Sequence, residues 1–170
     1  MGYYQNLRYL QGVGDEVKNW FKPAPAVWER LAHRFAALLD LPHRTAVHVR
    51  RGDYLDHSGD LFTNLGVEYY RQAMALTQGP YLVFSDDLDW CRRNLPEDCI
   101  FMDRNRDFED LFLMTTCHEH VIANSTFSWW GAWLAESCRT VCPASWGSVF
   151  EGTDAFVPSE WIRLESETER

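Results

Sequence analysis

Positive charge is scarce in this 170-residue chain: 16 Lys and Arg stand against 25 Asp and Glu, for a net charge of −9. Nucleic-acid backbones are held by basic patches, so this balance excludes nucleic acid as an expected partner. It also confines any anion site to a local cluster, and Arg50-Arg51 is the first candidate. No apolar run of about 18 residues and no signal-peptide pattern occurs, so the expectation is a soluble, cytoplasmic chain without a transmembrane segment. The five cysteines (Cys91, Cys99, Cys117, Cys138, Cys142) are odd in number and form no CxxC. That spacing excludes a disulfide framework and a zinc site, and buried thiols in a reducing compartment are expected. There is no GxxxxGK[ST] loop and no GxGxxG after a strand, which removes the main support for ATPase and dinucleotide readings. A GxSxG elbow, which a serine hydrolase of the α/β type needs, is absent too.

What is present is a globular composition, 46% hydrophobic and 15% aromatic, in a length suited to one domain over 1–170. Eight tryptophans predict either a thick core or a surface that a partner covers. Val27, Trp28, Leu31, Phe35, Leu38 and Leu39 form one helical stripe over 25–40, within an N-terminal helical segment 1–40. Strand patterns follow at 45–50, 80–84, 99–101, 120–123 and 140–142, alternating with helical patterns at 68–77, 88–95, 107–115 and 125–137. Asp107 is the expected N-cap of the third of these helices. Strands alternating with helices predict right-handed βαβ units, so 44–150 reads as an α/β core: a Rossmann-like parallel sheet flanked by helices. The tail 151–170 is less periodic; Trp161-Ile162 is expected to dock it, and the last six residues to fray.

Ligands of open α/β sheets bind beyond the carboxyl ends of the strands, which directs attention to three segments. After the first strand stands His48-Val49-Arg50-Arg51-Gly52-Asp53-Tyr54. Alternation puts His48 and Arg50 on one face; a guanidinium there offers a fork for phosphate or carboxylate, Gly52 allows close backbone approach, and Asp53 is placed to orient an arginine. A surface Arg–Asp pair in a turn is the plainer alternative, and Arg51-Gly52-Asp53 as an adhesion tripeptide is set aside because nothing else is extracellular. After the second strand, Ser85-Asp86-Asp87 fits an N-cap, a metal-binding acidic pair, or a carboxylate that accepts from a guanine edge; the residues alone favour the cap. The third segment, Asn124-Ser125-Thr126-Phe127-Ser128, sits where strand becomes helix, the usual meeting place of an anion with backbone N–H groups and hydroxyls. Asn124-Ser125-Thr126 also spells a glycosylation acceptor, which a buried strand end does not serve. The helix that follows is apolar all round, so Trp129, Trp130 and Trp133 are expected in the core.

These residues resemble the α-1,2-fucosyltransferase family. His48 to Tyr54 is similar to its HxRRxDY motif, Phe84-Ser85-Asp86-Asp87 with Trp90 resembles its second motif, and 124–134 is close to its third. Gly2-Tyr3-Tyr4-Gln5 resembles a mid-chain GYxQ segment, so the match spans about 2–150. The resemblance implies the C-terminal half of a two-domain GT-B-type glycosyltransferase: inverting, metal-independent, of a membrane-associated family, and needing no cofactor beyond its donor substrate GDP-fucose. It would transfer L-fucose to the 2-hydroxyl of a galactose-terminated glycan. It implies that Arg50 binds the β-phosphate, Arg51 supports the motif, and His48 lies near the guanosine. Asp86 or Asp87 would hold the guanine edge, and Ser125, Thr126, Phe127 and Ser128 would contact the phosphates; Asp53 is the nearest motif carboxylate for a base. The family's Gly-Gly-Leu-Gly-Asn-Gln type N-terminal motif is not found, so a missing N-terminal domain or a partner is expected. A non-catalytic GDP-sugar-binding module, or a fucosyltransferase of another linkage, is the alternative.

Overall fold

The computed structural model describes residues 6–52, 54, 63–135, 137–147 and 153–166. Its centre is a six-stranded, all-parallel sheet of β1 (Thr45–Val49), β2 (Tyr81–Ser85), β3 (Ile100–Phe101), β4 (Glu119–Val121), β5 (Arg139–Pro143) and β6 (Ile162–Leu164). The spatial order is β3-β2-β1-β4-β5-β6, that of a Rossmann-like sheet, as the alternating pattern predicts. Around it stand α1 (Gly14–Trp20), α2 (Pro25–Arg34), α3 (Ala36–Leu39), α4 (Val67–Ala75), α5 (Leu88–Asn94), α6 (Asp107–Thr115) and α7 (Thr126–Leu134). Among the described residues, no helix is long and apolar enough to cross a membrane.

Strands buried on both faces read as continuous apolar runs, and alternation then assigns the faces. Val47, Val49, Val83, Val121 and Val141 pack with Tyr69, Tyr70, Ala73 and Met74 of α4 and Trp90 and Cys91 of α5. On the other face, Ala46, Leu82 and Phe84 meet Leu31, Phe35 and Phe112-Leu113-Met114 of α6. A third cluster joins Ile122 and Cys142 to Trp129, Trp146, Phe156 and Trp161. Gly131 lets α7 close on α6, because a Cβ there would lie 2.7 Å from Met114 Cε and 3.1 Å from Met114 Cβ.

Several expectations are corrected. The helix expected over 25–40 breaks at Phe35 (φ −106°, ψ 17°), so one stripe is carried by two short helices. Asp107 is the first helical residue of α6, not its cap; Arg106 is the cap, and its N–H donates to Glu109 Oε2 at 2.9 Å. The helix expected to run to 137 ends at Leu134, since Ala135 is extended (ψ 152°). The tail contributes β6, a parallel edge strand that its short, half-exposed sequence does not announce. The tryptophans divide: Trp90, Trp129, Trp146 and Trp161 are buried, Trp130 and Trp133 half-buried, and Trp20 and Trp28 exposed. Four cysteines are buried as expected, while Cys138, in the turn before β5, is exposed.

Arg44 knots the amino-terminal edge of the sheet. Nearly buried, it donates from Nη1 to the carbonyls of Leu39 (2.9 Å) and Leu41 (2.8 Å) and from Nη2 to that of Thr116 (2.7 Å), closing the carboxyl ends of α3 and α6 with one cation. Arg44→Ala leaves those carbonyls without their donor and is expected to destabilise by roughly 3 kcal/mol in urea unfolding. An unchanged midpoint would show that water replaces the clamp.

Candidate functional site at the strand-order reversal

Strand order reverses between β1 and β4, where chain connections diverge to opposite sides and leave a crevice at the carboxyl edge. Val49 pairs with Ser85, and Val47 with Val121. Continuing both registers sets Arg50 between Asp86 and Asn124. Topology thus gathers all three segments singled out by sequence.

Asp86 organises the arginine loop. Its Oδ1 accepts the Arg51 N–H at 2.9 Å, and its Oδ2 accepts the Gly52 N–H at 3.1 Å and lies 3.1 Å from Arg50 Nη1. A Cβ on Gly52 would stand 2.8 Å from that Oδ2, so the group approaching this glycine is the carboxylate. Asp87 is the N-cap of α5, accepting the Trp90 N–H at 2.9 Å, while its own N–H donates to Ser85 Oγ at 2.9 Å. Among the described residues no group of three His, Cys, Asp or Glu is placed to hold a metal.

The two arginines differ sharply. Arg51 is 7% exposed, lies 4.1 Å over the Trp90 ring and has Nε 3.7 Å from Asp87 Oδ2; it is an internal brace. Arg50, about one-third exposed, is the guanidinium presented to the crevice. It lies 5.6 Å over the Tyr54 ring, and the Tyr54 hydroxyl donates to the Asn124 carbonyl at 2.9 Å, which ties the β1 tip to the β4 tip. His48 is buried, 5.6 Å from the Phe127 ring. Burial first, and then the Arg50 charge, push its pKa down to about 3, so the imidazole is neutral at physiological pH. Asp53 and Gly2-Tyr3-Tyr4-Gln5 lie outside the described residues.

Helix α7 starts at this crevice with its amides open. Ser125, the N-cap, is extended (φ −129°, ψ 132°), no side chain caps the helix, and its first turn carries no acid. The N–H groups of Thr126, Phe127 and Ser128 therefore present the positive end of the helix dipole. Thr126 is exposed, Phe127 half-buried and Ser125 nearly buried. The Ser128 hydroxyl, fully buried, has the backbone carbonyls of Ser125 (3.1 Å) and Ala123 (3.3 Å) as acceptors for its one proton, so it serves the turn itself. Sequence reasoning gave no role to Tyr54 or to the Asn124 side chain; their only signal was membership in motifs, because their partners are distant in sequence. Together, one forked cation and an open helix terminus are groups suited to an anion in an otherwise acidic protein.

Residues 2–165 match the profile described as Glycosyl transferase family 11. An Escherichia coli alpha-1,2-colitosyltransferase is 30% identical over 182 residues, covering 97% of this chain and 62% of its own length. The E. coli O-antigen biosynthesis glycosyltransferase WbnK is 35% identical over 136 residues, covering 71% of this chain and 44% of its own length. Galactoside alpha-(1,2)-fucosyltransferase 1 of Leontopithecus chrysomelas is 29% identical over 140 residues, covering 71% and 38%. The chain thus spans about half the length of these relatives. No solved structure matches it. With nearly its whole length inside one profile, and with the three motif segments meeting at one crevice, the chain belongs to glycosyl transferase family 11.

Proposed function

We propose that this chain binds GDP-fucose and takes part in the transfer of L-fucose, with inversion, to the 2-hydroxyl of a galactosyl acceptor. The observation that carries the reading is that the partly exposed Arg50 guanidinium and the uncapped amino terminus of α7 both stand at the strand-order reversal. Arg50 holds the β-phosphate, the amides of Thr126, Phe127 and Ser128 bind phosphate oxygens, and the hydroxyls of Ser125 and Thr126 are within the same turn. Arg51 braces the loop from behind, and His48 lies near the guanosine as a neutral imidazole. The guanine edge is read at the β2 tip, by Asp86 or Asp87. In the displacement the acceptor oxygen attacks the anomeric carbon while the bond to the β-phosphate oxygen breaks. The electron pair goes to GDP and the acceptor proton to a base, for which Asp53 is the motif's candidate. A preorganised cation and a helix terminus facing the leaving oxygen stabilise the developing charge by about 3 kcal/mol per key donor.

The test is incubation with GDP-fucose and lactose, followed by linkage analysis. Fucosylated product bearing a 1,2 linkage supports the reading, and another linkage refutes that part of it. GDP binding without product is the outcome expected of a non-catalytic nucleotide-sugar-binding module. Colitose is the second donor to assay, since the relative that covers 97% of this chain is a colitosyltransferase. EDTA is expected to leave GDP binding intact; a strict requirement for Mg²⁺ or Mn²⁺ would return Asp86-Asp87 to a metal role. Gly52→Ala, which forces the Asp86 carboxylate away from the arginine loop, is expected to weaken GDP binding roughly tenfold in calorimetry while the melting temperature moves by only about 2 °C. Unaltered affinity would separate the loop geometry from binding.

A further inference from the structure

Two buried amide oxygens beside this crevice have no donor. The Asn124 side chain, 2% exposed, donates from Nδ2 to the carbonyls of Thr63 (2.8 Å) and Trp146 (3.3 Å). Because both partners are acceptors, that end must be the NH₂ group and the amide cannot be turned over. Its Oδ1 is consequently left without a hydrogen bond. Asn64, next to the Thr63 that Asn124 grips, is 7% exposed and has a second Oδ1 in the same condition. Buried acceptors without donors cost free energy and are uncommon, so a pair of them at one end of a sheet calls for a ligand that donates.

Position identifies which part of a ligand this is. Asn124 is tied through Tyr54 to Arg50, on the β4 side of it, whereas Asp86 and Asp87 stand on the β2 side. A nucleotide diphosphate-sugar with its base at β2 and its diphosphate at Arg50 and α7 extends its hexose toward β4. Phosphate is repelled by amide oxygens, whereas the hexose carries hydroxyl donors. Resting on the function proposed above, we infer that Asn124, with Asn64, forms the hexose subsite: their side-chain oxygens accept hydrogen bonds from hydroxyls of the donor sugar and so determine which sugar is held. A site built to bond a hydroxyl rejects the sugar lacking it, because the buried oxygen is then left unpaired.

The experiment is calorimetric titration of the intact chain, Asn124→Ser and Asn64→Ala with GDP, GDP-L-fucose and GDP-colitose, with melting curves as a fold control. GDP affinity is expected to stay within about threefold in all three proteins. Affinity for the sugar nucleotide that the unmodified chain binds better is expected to fall about tenfold in each variant. A merely structural role would weaken GDP and the sugar nucleotide alike, and that outcome, or no change in either, overturns the subsite. If Asn124→Ser does not fold, Asn64→Ala carries the same expectation and the same refutation. Absence of GDP binding in the unmodified chain is a different failure: it sinks the nucleotide-sugar reading itself and the subsite with it.

Discussion

Arg50→Ala is expected to lower GDP affinity by well over tenfold and, in a form of the protein that turns over, to reduce kcat about 10²–10³-fold. The argument is one of local supply. In a chain with net charge −9, Arg50 is the guanidinium presented to the crevice, since Arg51 is nearly buried against Trp90. The Asp86 carboxylate at 3.1 Å fixes its direction, and the Tyr54 ring supports its face. A pyrophosphate binding there gains a charge-assisted, two-pronged contact that the α7 amides alone do not replace. Stability is expected to change by less than about 1 kcal/mol, because a partly exposed ion pair contributes little. Arg50→Lys keeps the charge but loses the fork and is expected to fall between the two. Calorimetry that gives equal GDP affinity for the unmodified chain and Arg50→Ala would end the assignment.

Acidification from pH 7.5 to pH 5 is expected to destabilise the fold strongly. Burial pushes His48 down to about 3 and His120 down to about 4. Both are neutral when folded and titrate near 6.5 when unfolded, so below pH 6.5 the unfolded chain binds more protons and stability falls with pH, down to the folded values. By pH 5 each histidine removes about 2 kcal/mol. Asp110, raised to about 6 chiefly by burial, acts in the opposite sense: it is held neutral more readily in the fold, so its contribution improves on acidification and offsets part of the loss. His120 also keeps its Nε2–H on the Met114 carbonyl at 2.8 Å, which protonation of the other nitrogen leaves in place but does not strengthen enough to balance burial of a charge. Two-state melts are expected to show a fall of about 5–10 °C between the two pH values. A smaller fall in His48→Asn is expected, and an equal or higher melting temperature at pH 5 would refute the account.

How far the sequence reached follows the range of the interactions involved. β2 was legible because both faces are buried, which makes the chain near-continuously apolar there, and β1 because Val47 and Val49 mark one face of an extended run. The candidate segments were legible because Arg50, Asp86 and 124–128 each stand at a strand's carboxyl end, where a parallel sheet exposes the edge at which ligands bind. β6 was not legible, since three edge residues gain their structure from pairing with Val141–Pro143 and carry no period of their own. Nor was the break at Phe35: a continuous apolar stripe does not say whether it lies along one helix or two packed on the same face.

By itself the sequence determined the class of fold and the family, and it singled out three candidate segments, because alternation, helical period and motif spacing are properties of neighbours along the chain. The tertiary structure decided which arginine faces the crevice, that Asp86 is held by the arginine loop, and that the Asn124 and Asn64 oxygens lack donors. Each of those depends on residues some 20 to 60 positions apart being set side by side by the fold, and no local pattern encodes that distance.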